Sequence, residues 1–126
     1  MKDLNLIKGI GNDIIEIDRI RKTIEKHGIH FYQKVFAQSE IDYCLSHKDP
    51  APSFAGRFAA KEAIAKALGL GFGESISFLD VEIINDELGR PITKFTDSFN
   101  QTFNSPHILI SISHCKEYAT AVALWS

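Results

Sequence analysis

The sequence predicts an α+β fold, a largely antiparallel sheet packed on one long helix, in a single domain over residues 1–126. Three observations predict it. Residues 54–68 carry a strong, uninterrupted helical pattern. Apolar, β-branched segments recur before and after that helix, several of them joined by hairpin signals. A length of 126 residues matches one domain with one real core. Strands and helices mixed in this way define the α+β class.

The elements follow in order. Residues 4–17 read as a strand, with Ile10, Ile14, Ile15 and Ile17 supplying β-branched bulk. Gly9 and Gly11 leave room there for a second backbone to come close. Asp18 can cap a short helix through Arg19, Ile20, Ile24 and Glu25 to about Lys26, stopped by Gly28. Ser39-Glu40-Ile41-Asp42 resembles a capping box and should open a helix through Tyr43, Cys44 and Leu45. Pro50 and Pro52 then break the chain, and Ser53 caps the long helix, Phe54 to Leu68, which ends at Gly69. Gly69 to Gly73 form a loop. Phe78 to Ile84 reads as a strand, Asn85 to Pro91 as a turn, and Ile92 to Phe95 as the returning strand. Thr96 or Asp97 caps a short helix to about Thr102. His107 to Ser113 and Tyr118 to Leu124 form a last hairpin.

Composition excludes several classes. Hydrophobic residues at 44% and charged residues at 24% are those of an ordinary globular domain, not a disordered chain. A formal net charge of -2 lacks the basic excess of a non-specific nucleic-acid binder, so no nucleic-acid partner is expected. Arg19, Arg21 and Lys22 form the only short basic cluster. The first four residues have no apolar secretory core, and no run is long enough to span a bilayer. Cys44 and Cys115 are expected as free thiols in a reducing, cytoplasmic setting, with no membrane partner.

Three places could carry chemistry. Asp13 lies in an otherwise apolar strand, where a carboxylate is costly to bury without a cation or donors. It is either an exposed or capped Asp or a ligand for a hard cation, and the neighbouring glycines favour the ligand by letting a bulky group near the backbone. On the long helix, Ala60, Ala63 and Ala67 make a small-residue face. Phe54, Phe58, Ile64, Ala65 and Leu68 make a bulky one. Glu62 and Lys66, four apart, lie beside the alanines, while Arg57 and Lys61 fall among the bulky residues. Glu62 and Lys66 are either a surface pair worth about 0.3–0.5 kcal/mol or part of a site. A carboxylate suits Mg²⁺ and the three cations suit phosphates. His114 stands where a strand ends, in a structural or a catalytic role. The glycine loop is no Walker A motif, since no Gly-Lys-Ser/Thr follows it.

Taken together, three blocks resemble the holo-acyl-carrier-protein synthase family. They are Gly9 to Ile20, Phe58 to Ala67, and Ser111 to His114 with Lys116 to Ala119. Phe36 to Glu40 and Asn85 to Pro91 also fit the family's spacing, so the likeness spans nearly the whole chain in order. It implies a 4′-phosphopantetheinyl transferase-like fold. It also implies an enzyme that moves the phosphopantetheine arm of coenzyme A to a serine of apo-acyl carrier protein. Asp13 and Glu62 match the Mg²⁺ ligands, and Lys66 matches the helix lysine that reaches the reacting phosphate. Asp13, Glu62 and Lys66 are thus the expected catalytic set. Arg57, Lys61, Lys66, His114 and the loop around Gly69 and Gly71 are implied coenzyme A contacts. Arg19 matches the position that contacts the acidic carrier, and Arg21 and Lys22 extend that patch. The proton acceptor is Glu62, a metal-held water or another base, with a water held by the metal and Glu62 favoured. Short chains of this kind are similar to homotrimers with sites between subunits.

This chain departs from the family in two places. Ile15 stands where larger relatives have a third carboxylate, so a water should replace that ligand. Glu16 faces away from Asp13. Cys115 replaces a hydroxyl-bearing residue. Two other readings compete. One is a non-catalytic module that binds coenzyme A or the carrier, against which the retention of Asp13, Glu62 and Lys66 argues. The other is a thiol acyltransferase using Cys115 with His114, but neighbours in a strand point to opposite faces.

Overall fold

A computed structural model describes residues 6–72 and 76–126. Leu4 and Asn5 of the expected first strand, and Gly73 of the expected loop, lie outside those residues. The described chain runs β1 (Gly9–Glu16), α1 (Ile17–His27), α2 (Ile29–Val35), α3 (Gln38–Leu45) and α4 (Ala51–Leu68). A single 3₁₀ turn, Phe78–Asp80, leads into β2 (Val81–Asn85), β3 (Pro91–Phe95), α5 (Asp97–Phe103), β4 (Ile108–His114) and β5 (Tyr118–Trp125).

All the strand pairings are antiparallel, as expected, but they form two sheets: β1-β5-β4 and the hairpin β2-β3. In the larger sheet the register sets Gly9 against Trp125, Gly11 against Ala123, Asp13 against Ala121 and Ile15 against Ala119. This is the inner face, and its small residues receive α4. A Cβ at Gly11 would stand 2.1 Å from the carbonyl oxygen of Ala63, and one at Gly9 2.0 Å from that of Ala67. The space the glycines leave is therefore filled by the helix backbone rather than by a ligand. Ala55, Ala59, Ala60 and Ala63 are buried in α4, as are Ala119, Ala121 and Ala123 in β5. Phe36, Phe54 and Phe99 add the largest buried apolar side chains, each stabilising by about 1.5–3 kcal/mol.

The outer face of this sheet is different. Ile10 pairs across to Leu124, Asn12 to Val122 and Ile14 to Thr120, and Leu109 of β4 flanks Leu124 on the far side. Ile10, Ile14 and Leu109 are 65%, 62% and 59% exposed.

Several helix starts differ from expectation. The N-cap of α1 is Glu16, and the N–H of Ile17 is held at 2.8 Å by the carbonyl of Glu117. Asp18 therefore sits inside the first turn and pairs with Lys22. In α3 the N-cap is Ala37, whose N–H bonds Glu40 Oε1 at 2.9 Å, while the Ser39 hydroxyl bonds Glu82. Helix α4 starts at Ala51 with Pro52 in its first turn, where the missing N–H would have no helical partner anyway. Ser53 is thus helical rather than a cap. Helix α2 had no sequence signal strong enough to predict it. The stops agree: Gly28 and Gly69 take positive φ of 51° and 77°, and Thr96 caps α5 by accepting from Phe99 N–H. Both cysteines are free, Cys44 buried and Cys115 exposed.

Candidate active site

The close approach of β1 and α4 assembles the first group of residues. With α4 seated on Gly11, Lys66 reaches across the seam. Its Nζ donates to Asp13 Oδ1 at 2.9 Å and to the carbonyl of Asn12 at 3.1 Å. Glu62 lies one turn earlier on α4. Its proton affinity is raised, first by desolvation, then by the negative charge of Asp13, with Lys66 partly offsetting both. Asp13, Glu62, Arg19, Thr23, Phe31 and Phe58 border one cleft of about 400 Å³. The expected grouping of Asp13, Glu62 and Lys66 is thus present, with Arg19 at the same mouth.

This donor set fits a hard divalent cation. Two carboxylates line one cleft, close enough for the charge of Asp13 to act on Glu62, and a cation there would relieve both the repulsion and the desolvation. Among the described residues no group of three or more His, Cys, Asp or Glu side chains stands together. The remaining ligands would then be phosphate oxygens and water, the habit of Mg²⁺. Ile15, at the position of the missing third carboxylate, is buried in the core. Glu16 is exposed on the opposite side of β1 from Asp13.

The second group lies elsewhere. Arg57, Tyr43, Asn85, Gly89 and His114 border a cleft of about 240 Å³. Arg57 is 6% exposed. Its Nη2 donates to Asn85 Oδ1 at 2.7 Å, its guanidinium lies 4.4 Å over the Tyr43 ring, and its buried Nε has no partner. Asn85 also donates to the Gly89 carbonyl at 3.0 Å, locking the hairpin that it begins. Asn85 was legible only as part of a turn, and Tyr43 carried no signal at all. Within one chain Arg57 and His114 come together, but not with Asp13 and Glu62.

Lys61 requires a correction. Its side chain is 0% exposed and its ammonium is taken up by Glu40, Val35 and Phe78. It is not available to coenzyme A. The warning sign was its place among the bulky residues of the helix. The basic cluster also divides: Arg21 pairs with Asp49 at 2.7 Å and Lys22 with Asp18 at 3.1 Å, leaving Arg19 at the cleft. Gly69 ends α4 in a left-handed turn, and a Cβ at Gly71 would meet nothing within 4 Å.

A groove of about 850 Å³ between β3 and β4, roomier than either cleft, contains none of Asp13, Glu62 or Lys66. Size therefore does not mark the chemistry here; the convergence of charged groups does. Of the described helices, none is long and apolar enough to cross a membrane.

Comparison with known proteins places the chain in a family. Residues 9–123 match the family model of the 4′-phosphopantetheinyl transferase superfamily, to which the chain belongs. A holo-[acyl-carrier-protein] synthase from Protochlamydia amoebophila is 58% identical, over 94% of this chain and 97% of that protein. The structure of the Helicobacter pylori holo-[acyl-carrier-protein] synthase in complex with coenzyme A is similar at a TM-score of 0.85 and 37% identity. That match covers 93% of this chain and 99% of the other. The Bacillus anthracis synthase, also solved with CoA (3′,5′-ADP), matches at 0.81 and 39%, covering 94% and 96%. Within the superfamily, the chain is a member of the short, single-domain holo-[acyl-carrier-protein] synthases.

Proposed function

We propose that Asp13, Glu62 and Lys66 carry the transfer of 4′-phosphopantetheine from coenzyme A to a serine of apo-acyl carrier protein, a step of fatty acid biosynthesis. The products are holo-acyl carrier protein and adenosine 3′,5′-bisphosphate. The observation that carries the residue assignment is the meeting of these three side chains where β1 crosses α4. The whole chain acts as one catalytic domain.

The serine oxygen bonds to the β-phosphorus of coenzyme A. The bond from that phosphorus to its bridging oxygen breaks, and adenosine 3′,5′-bisphosphate leaves with the electron pair. Asp13 and Glu62 would hold a Mg²⁺, which would supply neutralisation of the charge gathering on the pyrophosphate. Lys66 has three N–H donors and uses two within the chain, so one serves a phosphate oxygen of the substrate. Glu62 is placed at the cleft to draw the serine proton, directly or through one water. Arg19, at the mouth of the same cleft, meets the acidic carrier and guides its serine inward.

The second cleft completes the site from a neighbouring subunit. Arg57 and His114 bind anionic oxygens of coenzyme A there. The apolar outer face of β1-β5-β4 is the surface on which copies of the chain meet, as a homotrimer. Such a face is costly to leave in water, and three copies of it meeting around one threefold axis would bring one chain's Arg57 and His114 to the next chain's Asp13 and Glu62. The protein works in the cytoplasm.

The test is intact-protein mass spectrometry of an apo-acyl carrier protein incubated with this protein, coenzyme A and Mg²⁺, with an EDTA control. A gain of one phosphopantetheine that EDTA prevents is the expected result. Coenzyme A binding without any gain, on a carrier that a known transferase does modify, would leave the binding-module reading instead.

A further inference from the structure

Lys61 and Glu62 are neighbours on α4, about 100° apart around its axis, and their surroundings are opposite. Glu62 borders the catalytic cleft. Lys61 is fully buried, and each of its three N–H donors has an acceptor: the Val35 carbonyl at 2.7 Å, Glu40 Oε1 at 2.8 Å and the Phe78 carbonyl at 3.1 Å. Glu40, 1% exposed, is equally engaged. Its Oε1 also accepts from Ala37 N–H at 2.9 Å, and its Oε2 accepts from Ile83 N–H at 3.1 Å. One ion pair thus ties α4 to the end of α2, the start of α3, the 3₁₀ turn and β2. Neither residue borders either cleft.

A buried ion pair is a poor source of stability, because desolvation offsets most of the attraction. Its worth here is directional. The glycine–alanine seam sets how closely α4 approaches β1, but apolar contact is non-directional. The hydrogen bonds at Lys61 are directional, and a turn of the helix about its own axis would stretch them. A carboxylate about 5 Å from the axis moves about 1 Å for a turn of about 10°, and a 1 Å misplacement costs about 100-fold in rate.

We propose that Lys61 is a positioning residue, whose ion pair with Glu40 sets the rotation of α4 and thereby aims Glu62 at Asp13. The proposal rests on the reading of Asp13 and Glu62 as the metal-holding pair. Lys61→Met, Glu40→Gln and the double variant test it, with Glu62→Ala as control. Three quantities are measured: Mn²⁺ binding by electron paramagnetic resonance, coenzyme A binding in EDTA by calorimetry, and steady-state transfer. In each of the three pair variants Mn²⁺ affinity falls about tenfold and kcat about tenfold to a hundredfold. Coenzyme A affinity in EDTA stays within about twofold, and the double variant is no worse than the worse single one.

Unchanged Mn²⁺ affinity and kcat in folded Lys61→Met overturn the proposal. Loss of coenzyme A binding in EDTA also overturns it, by making Lys61 a substrate contact. Where Lys61→Met fails to fold, the milder Glu40→Gln decides by the same readings. Mn²⁺ binding that survives in Glu62→Ala overturns the metal-holding reading and the positioning role with it. Binding lost in Glu62→Ala but kept in the pair variants overturns the positioning role alone.

Discussion

Lys66 Nζ lies 2.9 Å from Asp13 Oδ1, a bridge between α4 and β1 that is half open to solvent on the lysine side. An ion pair this exposed contributes about 0–1 kcal/mol, so its meaning is placement rather than stability. Lys66→Met should melt within about 3 °C of the parent yet lose about 100- to 1,000-fold in kcat, the cost of removing one charge-stabilising group. Asp13→Ala and Glu62→Ala should abolish Mg²⁺-dependent transfer with the fold intact by circular dichroism. Normal turnover in both would sink the metal-site assignment.

Glu62 gives a pH signature in the metal-free protein. Its folded-state pKa is raised by desolvation and by Asp13, so the folded chain binds more protons than the unfolded one. That contribution is fully present below the unfolded value and is lost as pH rises through the raised folded value. Glu62→Gln should therefore melt about 1–3 °C higher than the parent near neutral pH. The difference should vanish below about pH 4. A difference that grows toward acid would reverse the sign of the argument.

Gly11→Ala forces a methyl to within 2.1 Å of the Ala63 carbonyl. The strand and helix must part, at a cost of about 1–3 kcal/mol or more. Thermal melting should fall by roughly 5–15 °C, and transfer should fall with it because Glu62 and Lys66 move away from Asp13. Gly71→Ala, whose Cβ would meet nothing within 4 Å, should change melting by little and serves as the comparison.

Arg19→Glu should weaken carrier binding by about tenfold or more, with coenzyme A binding unchanged, and the remaining affinity should depend less on salt. Arg21→Ala and Lys22→Ala should matter less, since Asp49 and Asp18 already occupy those charges. Surface plasmon resonance against an acidic carrier separates the cases. Equal losses for carrier and coenzyme A in Arg19→Glu would reject the docking role.

Ile10→Asp with Leu109→Asp places charges on the exposed outer sheet face. Light scattering should show the homotrimer falling to monomer, and transfer should be lost although Asp13, Glu62 and Lys66 remain. A monomeric parent would remove the trimer proposal. Retained activity in a monomeric variant would reject the shared site.

Much was legible in advance. The long helix declared itself through its apolar pattern and Gly69 stop, and the last hairpin as two successive strand segments. Asp13 stood out as a carboxylate in an apolar strand, and Glu62 and Lys66 through their four-residue spacing. Helix starts were less legible. Glu40 bonds the Ala37 N–H and a carbonyl from the β4–β5 turn holds Ile17, and neither partner can be weighed from the capping residue alone. Lys61 was misplaced because a lysine beside phosphate-suited residues reads as a ligand until its burial is known.

The sequence by itself determined the class of fold, the order of its elements apart from α2, the family, and the charged residues from which a site can be built. These are local or ordered properties: periodicity, spacing and residue chemistry along one chain. Tertiary structure alone decided which charges meet. Lys61 and Lys66 are five positions apart on one helix, yet one is buried against Glu40 and the other reaches Asp13. The difference comes from what packs on each side of α4. A glycine-lined strand leaves Lys66 half in water, where its charge can serve a substrate. On the other side α2, α3 and β2 exclude water, and a charge persists there only with a full set of acceptors.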